Sequence, residues 1–304
     1  MKALVLGGGS MKGAYQVGAV QAVIESGFRP EMIYGISVGA LNATFLTNEA
    51  GKQKHDQHRV NWTDISKNMV EFWVRNITGP TQIATLRSKM ALGVYTLLSR
   101  YDGLLDPAPL HTLIRNSINI NFLRHSPVSI KVGTVNISNG EMVYSSPEDD
   151  HFLEYVMASS SIPVLMPPVP IGDKNEIFLD GGIRVVAPIK KAIEDGATDI
   201  YLIACHSNQI ARPEHFEPGN LISLMERVKD ITVNQVVNSD ITWAENYVER
   251  SILRGRPIKL TVIRPDAPLS LNLQQFNSDD IVRLIVEGYK SGLETIKRSQ
   301  IAGN

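Results

Sequence analysis

Gly35-Ile36-Ser37-Val38-Gly39-Ala40 is the stretch from which this chain is best read. The apolar run Met32-Ile33-Tyr34 leads into it, and Leu41-Asn42-Ala43-Thr44-Phe45-Leu46 leaves it with small and apolar residues at helical spacing. The order is strand, tight turn, helix. In such a turn a serine takes a strained backbone conformation, and glycines two before and two after it remove the Cβ atoms that would clash. The hydroxyl then stands above a sheet edge, beside the first amides of the following helix and the positive end of its dipole. Ser37 is thus a nucleophile candidate. The alternative is a strand-to-helix turn with an idle serine, and the rest of the chain has to decide between them.

Upstream, the apolar run Ala3-Leu4-Val5-Leu6 ends in Gly7-Gly8-Gly9-Ser10-Met11-Lys12-Gly13, after which Ala14, Val17, Val20, Val23 and Ile24 recur at helical spacing. A glycine loop between strand and helix turns its amides outward into an anion site. A dinucleotide fingerprint fails here, because Lys12 stands sixth from Gly7 and Ser10 third from Gly8. No Gly-Lys-Ser/Thr follows, so a phosphate-binding P-loop fails too. What remains is the oxyanion of a tetrahedral intermediate, which needs two backbone donors near a nucleophile. Consecutive strand-to-helix turns of a parallel sheet open on one edge, which makes the loop and Ser37 neighbours.

A serine also needs a base. Ile177-Phe178-Leu179-Asp180-Gly181-Gly182 is an apolar run ending in an acid and paired glycines. Alone it reads as a turn. Together the three motifs resemble the patatin-like phospholipase family, which carries a glycine-rich oxyanion loop, a Gly-x-Ser-x-Gly turn and an Asp-Gly-Gly or Asp-Gly-Ala base. The resemblance covers most of the chain. It includes residues 3–18, Asp102-Gly103-Leu104-Leu105-Asp106 with Leu110, Ala158-Ser159-Ser160-Ser161-Ile162-Pro163 with Pro167-Pro168, and Thr261-Val262-Ile263-Arg264-Pro265.

The resemblance implies Ser37 as nucleophile, Asp180 as general base and Gly8, Gly9 and Ser10 as the oxyanion loop. Gly7, Lys12, Gly13, Gly35, Gly39, Gly181 and Gly182 support the motifs. It implies hydrolysis of fatty-acyl esters of phospholipids or related lipids through an acyl-enzyme, with no metal and no organic cofactor. Two alternatives share these residues: a lipid acyltransferase using the same dyad, and a non-catalytic lipid- or nucleotide-binding regulator. The chain departs from the family twice. Ser10 stands where the family usually has glycine, and Arg184-Val185-Val186-Ala187-Pro188 lacks the asparagine that often follows the base motif.

The 304 residues carry a formal net charge of −1 and 43% apolar residues, ordinary for a globular protein and unlike a nucleic-acid binder. Cys205 follows the apolar run Ile200-Tyr201-Leu202-Ile203-Ala204 and has no second cysteine to pair with, which reads as a buried thiol suited to the cytosol. Neither a signal peptide nor an apolar span of ~20 residues is evident. A cytoplasmic protein is expected, with any membrane contact local and peripheral; the oligomeric state is not legible.

Residues 51–100 are the least family-like. Lys52, Lys54, Arg59, Lys67, Arg75, Arg87, Lys89 and Arg100 outnumber the acids there, and Ile83, Leu86, Met90, Val94, Leu97 and Leu98 fall at helical spacing below Trp62, Phe72 and Trp73. A helix packed on the core with a basic outer face is favoured over a lid or a membrane-surface helix.

Histidines raise a rival base. His206 at a strand end and His215 in a polar loop would permit a Ser-Asp-His order, but that hydrolase fold places its nucleophile after more strands. His206 is expected to satisfy local hydrogen bonds. His55 and His58 share a spacing that suits metal ligands, without a third ligand nearby. Beyond Asp180 the pattern predicts a helix at Ile189–Glu194, a strand at 199–204, a long helix at 221–250, a strand at 259–263 and a last helix at 279–298 capped by Ser278. The whole reads as one α/β domain, residues 1–304, with a mostly parallel central sheet flanked by helices.

Overall fold

Short strands that are apolar throughout must be buried on both faces, which requires helices on both sides of a parallel sheet. The computed structural model, which describes residues 1–87, 103–173, 176–210, 212 and 216–302, has that form. In chain order its elements are β1 (Lys2–Leu6), α1 (Gly13–Glu25), β2 (Met32–Ile36), α2 (Val38–Gln57), α3 (Trp62–Asn76), β3 (Thr85–Leu86), β4 (Leu105–Asp106), α4 (Ala108–Ser117), α5 (Ile120–Arg124), β5 (Ser129–Asn136) and β6 (Met142–Ser145). There follow α6 (Phe152–Ser159), β7 (Val169–Ile171), β8 (Glu176–Asp180), α7 (Ile189–Glu194), β9 (Asp199–Ile203), α8 (Leu221–Leu253), β10 (Lys259–Ile263) and α9 (Ser278–Ala302). The main sheet runs β10-β9-β1-β2-β5-β8-β7, with β6 also on β5; β3 and β4 form a separate pair. Pairing is parallel from β10 to β5 and antiparallel for β6, β7 and β8.

Alternation along β1 shows both faces in use. Leu4 and Leu6 enter a core with α1, α2, α3 and α9, while Ala3 and Val5 enter another with α7 and α8. On the first side α1 and α9 cross almost backbone to backbone. A Cβ on Gly18 would lie 1.8 Å from the Ile285 carbonyl oxygen, and one on Gly288 1.9 Å from that of Tyr15, so only glycine allows this crossing.

Strand register explains how distant motifs meet. β2 pairs with the first half of β5 as far as Ile36 opposite Gly133, and the next β5 residue, Thr134, is opposite Asp180 at the end of β8. Strand β6 pairs with Val132 through Val135, occupying the other side of β5. Ser37 directly follows Ile36, so one edge of β5 brings Ser37 and Asp180 together.

Expectations for α9 and for residues 51–100 are adjusted: Leu86, read at helical spacing, stands exposed in strand β3. Asn277 caps α9, accepting the amides of Asp279 and Asp280, and the helix continues past Arg298 to Ala302. Within 51–100, α2 extends to Gln57, and α3 buries Trp62, Ile65, Met69 and Trp73 while exposing Lys67 and Arg75. Lys89, Met90, Val94, Leu97, Leu98 and Arg100, together with Asp102, lie outside the described residues.

Candidate active site

Ser37 has φ 57° and ψ −129°, a conformation residues with side chains rarely adopt. Crowding at the turn explains the flanking glycines. A Cβ on Gly39 would come within 2.1 Å of the Leu6 carbonyl oxygen, and one on Gly35 within 2.4 Å of that of Gly39. The Ser37 amide donates to Ser159 Oγ at 2.9 Å, and the Ser159 hydroxyl donates to the Gly133 carbonyl at 2.8 Å. The strained turn is thus held from the end of α6 through its backbone, leaving the Ser37 hydroxyl out of that support.

Asp180 is almost fully buried beside it. The Ser37 side chain faces its carboxylate, whose Oδ1 accepts the Gly182 amide at 2.7 Å. Gly181 packs against β5, where a Cβ would lie 2.6 Å from the Gly133 carbonyl oxygen. Burial pushes the Asp180 carboxyl up to about 6, against the lowering effect of the Ser37 side chain, the Gly182 amide and the Lys229 charge. The protonated acid is therefore favoured more in the folded chain than in the unfolded one. Between the ordinary carboxyl value near 3.8 and about 6, stability falls as pH rises, by an amount on the order of 3 kcal/mol. Asp180→Asn is accordingly expected to melt above the unsubstituted protein at pH 8, with the difference disappearing by pH 4. Equal melting temperatures at both pH values would contradict a desolvated carboxylate.

The glycine loop faces the same point. Gly7 donates to the Ile203 carbonyl at 3.1 Å, and Gly8 donates to the Val186 carbonyl at 3.0 Å. The Gly8 amide is thus engaged within the protein, and Gly8 lies against Ser37: a Cβ there would lie 3.3 Å from Ser37 Cβ. The amides of Gly9 and Ser10 have no acceptor among the described residues. Ser10 keeps the loop shape by adopting φ 52°, accepting the strain that glycine would avoid. Lys12 closes the following 3-10 turn, Ser10–Lys12. Gly13 opens α1 against the turn, where a Cβ would lie 2.2 Å from Val38 Cγ2.

A buried polar relay that the sequence reading missed supports this loop. Trp73 Nε1 donates to Asn42 Oδ1 at 2.9 Å, Asn42 Nδ2 to Gln16 Oε1 at 3.0 Å, and Gln16 Nε2 to the Gly7 carbonyl at 2.6 Å. Satisfied chains of this kind hold a site rigidly because every buried polar group has its partner. Ser159, too, was overlooked as a support for Ser37.

His206 lies behind the loop. Its Nδ1 is buried without a hydrogen-bond partner, contrary to the expectation of a locally satisfied ring. Burial, with the charges of Lys12, Lys229 and Arg264, pushes its pKa down to about 3, so the ring is neutral. No histidine hydrogen-bonds Ser37 or Asp180 among the described residues; His215 is outside them. Cys205 is buried against Gly9, and burial pushes its thiol up to about 12. His55 is exposed and pairs with Asp56 at 2.7 Å, and exposed His58 ends α2 in a left-handed conformation. Among the described residues no three His, Cys, Asp or Glu side chains gather as metal ligands.

Ser37 and Ser10 line one part of a cavity of about 430 Å³ whose remaining wall is mostly apolar, including Phe45, Trp73, Ile77, Leu113, Ile114 and Phe276. An ester held with its carbonyl at Ser37 could extend a hydrocarbon chain into this space. The arrangement can deprotonate a hydroxyl, direct it at a carbonyl and present unpaired amides to the resulting oxyanion.

Residues 4–193 match the family described as patatin-like phospholipase. The match stops short of β9 and β10, two strands of the same sheet. Lysophospholipase NTE1 of Cryptococcus neoformans var. neoformans serotype D (strain JEC21 / ATCC MYA-565) is 25% identical over 313 residues, spanning 97% of this chain and 17% of that protein. Neuropathy target esterase sws of Drosophila persimilis is 26% identical over 179 residues, spanning 59% of this chain and 11% of that protein. The chain thus corresponds to a small part of these relatives. Among solved structures, the crystal structure of VipD from Legionella pneumophila covers 98% of this chain and 67% of that one, at 15% identity and a TM-score of 0.45.

Proposed function

This chain belongs to the patatin-like phospholipase family, and we propose that it hydrolyses fatty-acyl esters of phospholipids or related lipids through a Ser37–Asp180 dyad. The observation that carries this reading is that one edge of β5 brings Ser37 and Asp180 together, with Ser37 in the wall of an apolar cavity. Asp180 takes the Ser37 proton as Oγ attacks the ester carbonyl. The Gly9 and Ser10 amides stabilise the oxyanion, and protonated Asp180 returns the proton to the departing alcohol. Asp180 then deprotonates water, which attacks the acyl-enzyme; on collapse Ser37 regains a proton and the fatty acid leaves. The raised carboxyl pKa makes Asp180 a better base than an ordinary aspartate. The names of the relatives, lysophospholipase and esterase, support an ester substrate, and the first of them a phospholipid carrying one acyl chain. Incubation with a panel of mono- and diacyl phospholipids, with products identified by mass spectrometry, tests the reading. Release of free fatty acid is expected; transfer of the acyl group to an alcohol or lysolipid would favour the acyltransferase.

Peripheral contact with lipid belongs to the same proposal. No helix among the described residues is long and apolar enough to cross a membrane. Within 51–100, α3 and the 80–86 stretch line the cavity, while Lys52, Lys54, Arg59, Lys67 and Arg75 are exposed. If this segment meets the lipid, binding to anionic vesicles exceeds binding to neutral ones and weakens with added salt. Equal binding to both would leave it as a cavity wall alone.

A further inference from the structure

We infer that Asp240, in the middle of α8, is a positioning residue that ties the base loop and the oxyanion loop into one unit. This rests on the dyad reading above. Asp240 is 60 positions from the base in sequence and belongs to none of the motifs that identify the site. Its Oδ2 accepts the amides of both Val186 and Ala187, each at 2.9 Å. Those residues close the loop that begins with Asp180. The Val186 carbonyl in turn accepts the Gly8 amide at 3.0 Å. The Val186 side chain wedges into the same place, with Cγ1 3.6 Å from where a Gly8 Cβ would be, and that position is 3.3 Å from Ser37 Cβ. One carboxylate oxygen therefore fixes Val186, and Val186 fixes the loop carrying the unpaired amides of Gly9 and Ser10.

The anchor is rigid. Val237, Ile241 and Ala244, one turn or less from Asp240, are buried against Ala3, Val5 and Ile200 of the sheet and Ile189 of α7. Asp240 also fills a gap left by the sequence. The side chains of Val185-Val186-Ala187 cannot hydrogen-bond, and a carboxylate from α8 takes up the amides of Val186 and Ala187. A half-buried acceptor shared by two amides is costly to lose, since both donors are then left without their partner.

The test measures two things on Asp240→Ala and Asp240→Asn: steady-state hydrolysis of a p-nitrophenyl ester, and amide hydrogen exchange at Gly8, Val186 and Ala187. In Asp240→Ala, kcat is expected to fall by about 10- to 100-fold with KM within about threefold, as misplacement by about an ångström produces. The three amides should exchange faster together. Asp240→Asn keeps an acceptor oxygen and should retain kcat within about threefold. Unchanged kcat in Asp240→Ala, alongside a lowered melting temperature, would overturn the inference in favour of simple stabilisation. So would faster exchange at Val186 and Ala187 with Gly8 unmoved. If the alanine variant does not fold, the asparagine variant decides alone: its weaker acceptor should speed exchange at all three amides, and protection lost at Val186 and Ala187 but not at Gly8 overturns the coupling. Exchange does not depend on turnover. An inactive parent protein with coupled exchange would therefore reject the dyad while leaving the clamp in place.

Discussion

Replacing Ser37 by alanine is expected to lower ester hydrolysis by about 10⁴-fold or more and to remove labelling by a fluorophosphonate probe, while the chain stays folded. The two halves of this expectation have separate structural causes. On the proposed mechanism hydrolysis needs the Oγ atom, which faces Asp180 and the apolar cavity. Folding uses the residue's backbone instead, through its amide to Ser159 Oγ. Alanine bears the same φ of 57° with the same strain as serine, so the turn loses little stability. The melting temperature and circular dichroism should match the unsubstituted protein. Hydrolysis of a short p-nitrophenyl ester at an unchanged rate would end the assignment of Ser37 as nucleophile.

Asp180→Asn should lose almost as much activity, on the order of 10³-fold or more, whereas His206→Ala and His215→Ala should stay within about tenfold of the parent. Asparagine preserves shape and can still accept the Gly182 amide, but it cannot take the Ser37 proton. A dyad has no second base. Were a histidine the base, its removal would be as damaging as loss of the serine, and the acid would only orient it. His206 is held neutral with its pKa pushed down to about 3, behind Gly9, and forms no hydrogen bond to either member of the pair. The parent's kcat/KM should rise with pH through about 6, where the carboxyl of Asp180 ionises. A rate loss in either histidine variant comparable to Ser37→Ala, with folding verified, would replace the dyad by a triad.

Local patterns made Ser37 and the strand-turn-helix around it legible, because the glycine spacing reflects crowding between residues close in sequence, as Gly35 against Gly39 shows. The parallel core was legible for a similar reason: β1, β2 and β9 are apolar on both faces, and no amphipathic pattern competes. Asp180 could be picked out by its glycines, yet its meeting with Ser37 depends on β8 pairing antiparallel to the end of β5, which no local pattern states. The supports were illegible. Ser159 reaches Ser37 across 122 positions, Asp240 reaches Val186 across 54, and Trp73 reaches Asn42 across 31. Each is an ordinary residue on a helix until packing brings it to the site. The engagement of the Gly8 amide has the same origin, since it is taken by Val186, 178 positions away in sequence. At the start of α9 two adjacent polar residues, Asn277 and Ser278, could both cap, and only the backbone geometry selects Asn277.

Mass spectrometry of the protein quenched during turnover of a p-nitrophenyl fatty-acyl ester, followed by peptide mapping, reads the covalent step itself. An acyl adduct on the peptide containing Ser37, absent from Ser37→Ala and sharply reduced in Asp180→Asn, is the predicted result. Turnover with an adduct mapped to any other residue, or continued turnover in Ser37→Ala without an adduct at all, would contradict the Ser37–Asp180 mechanism.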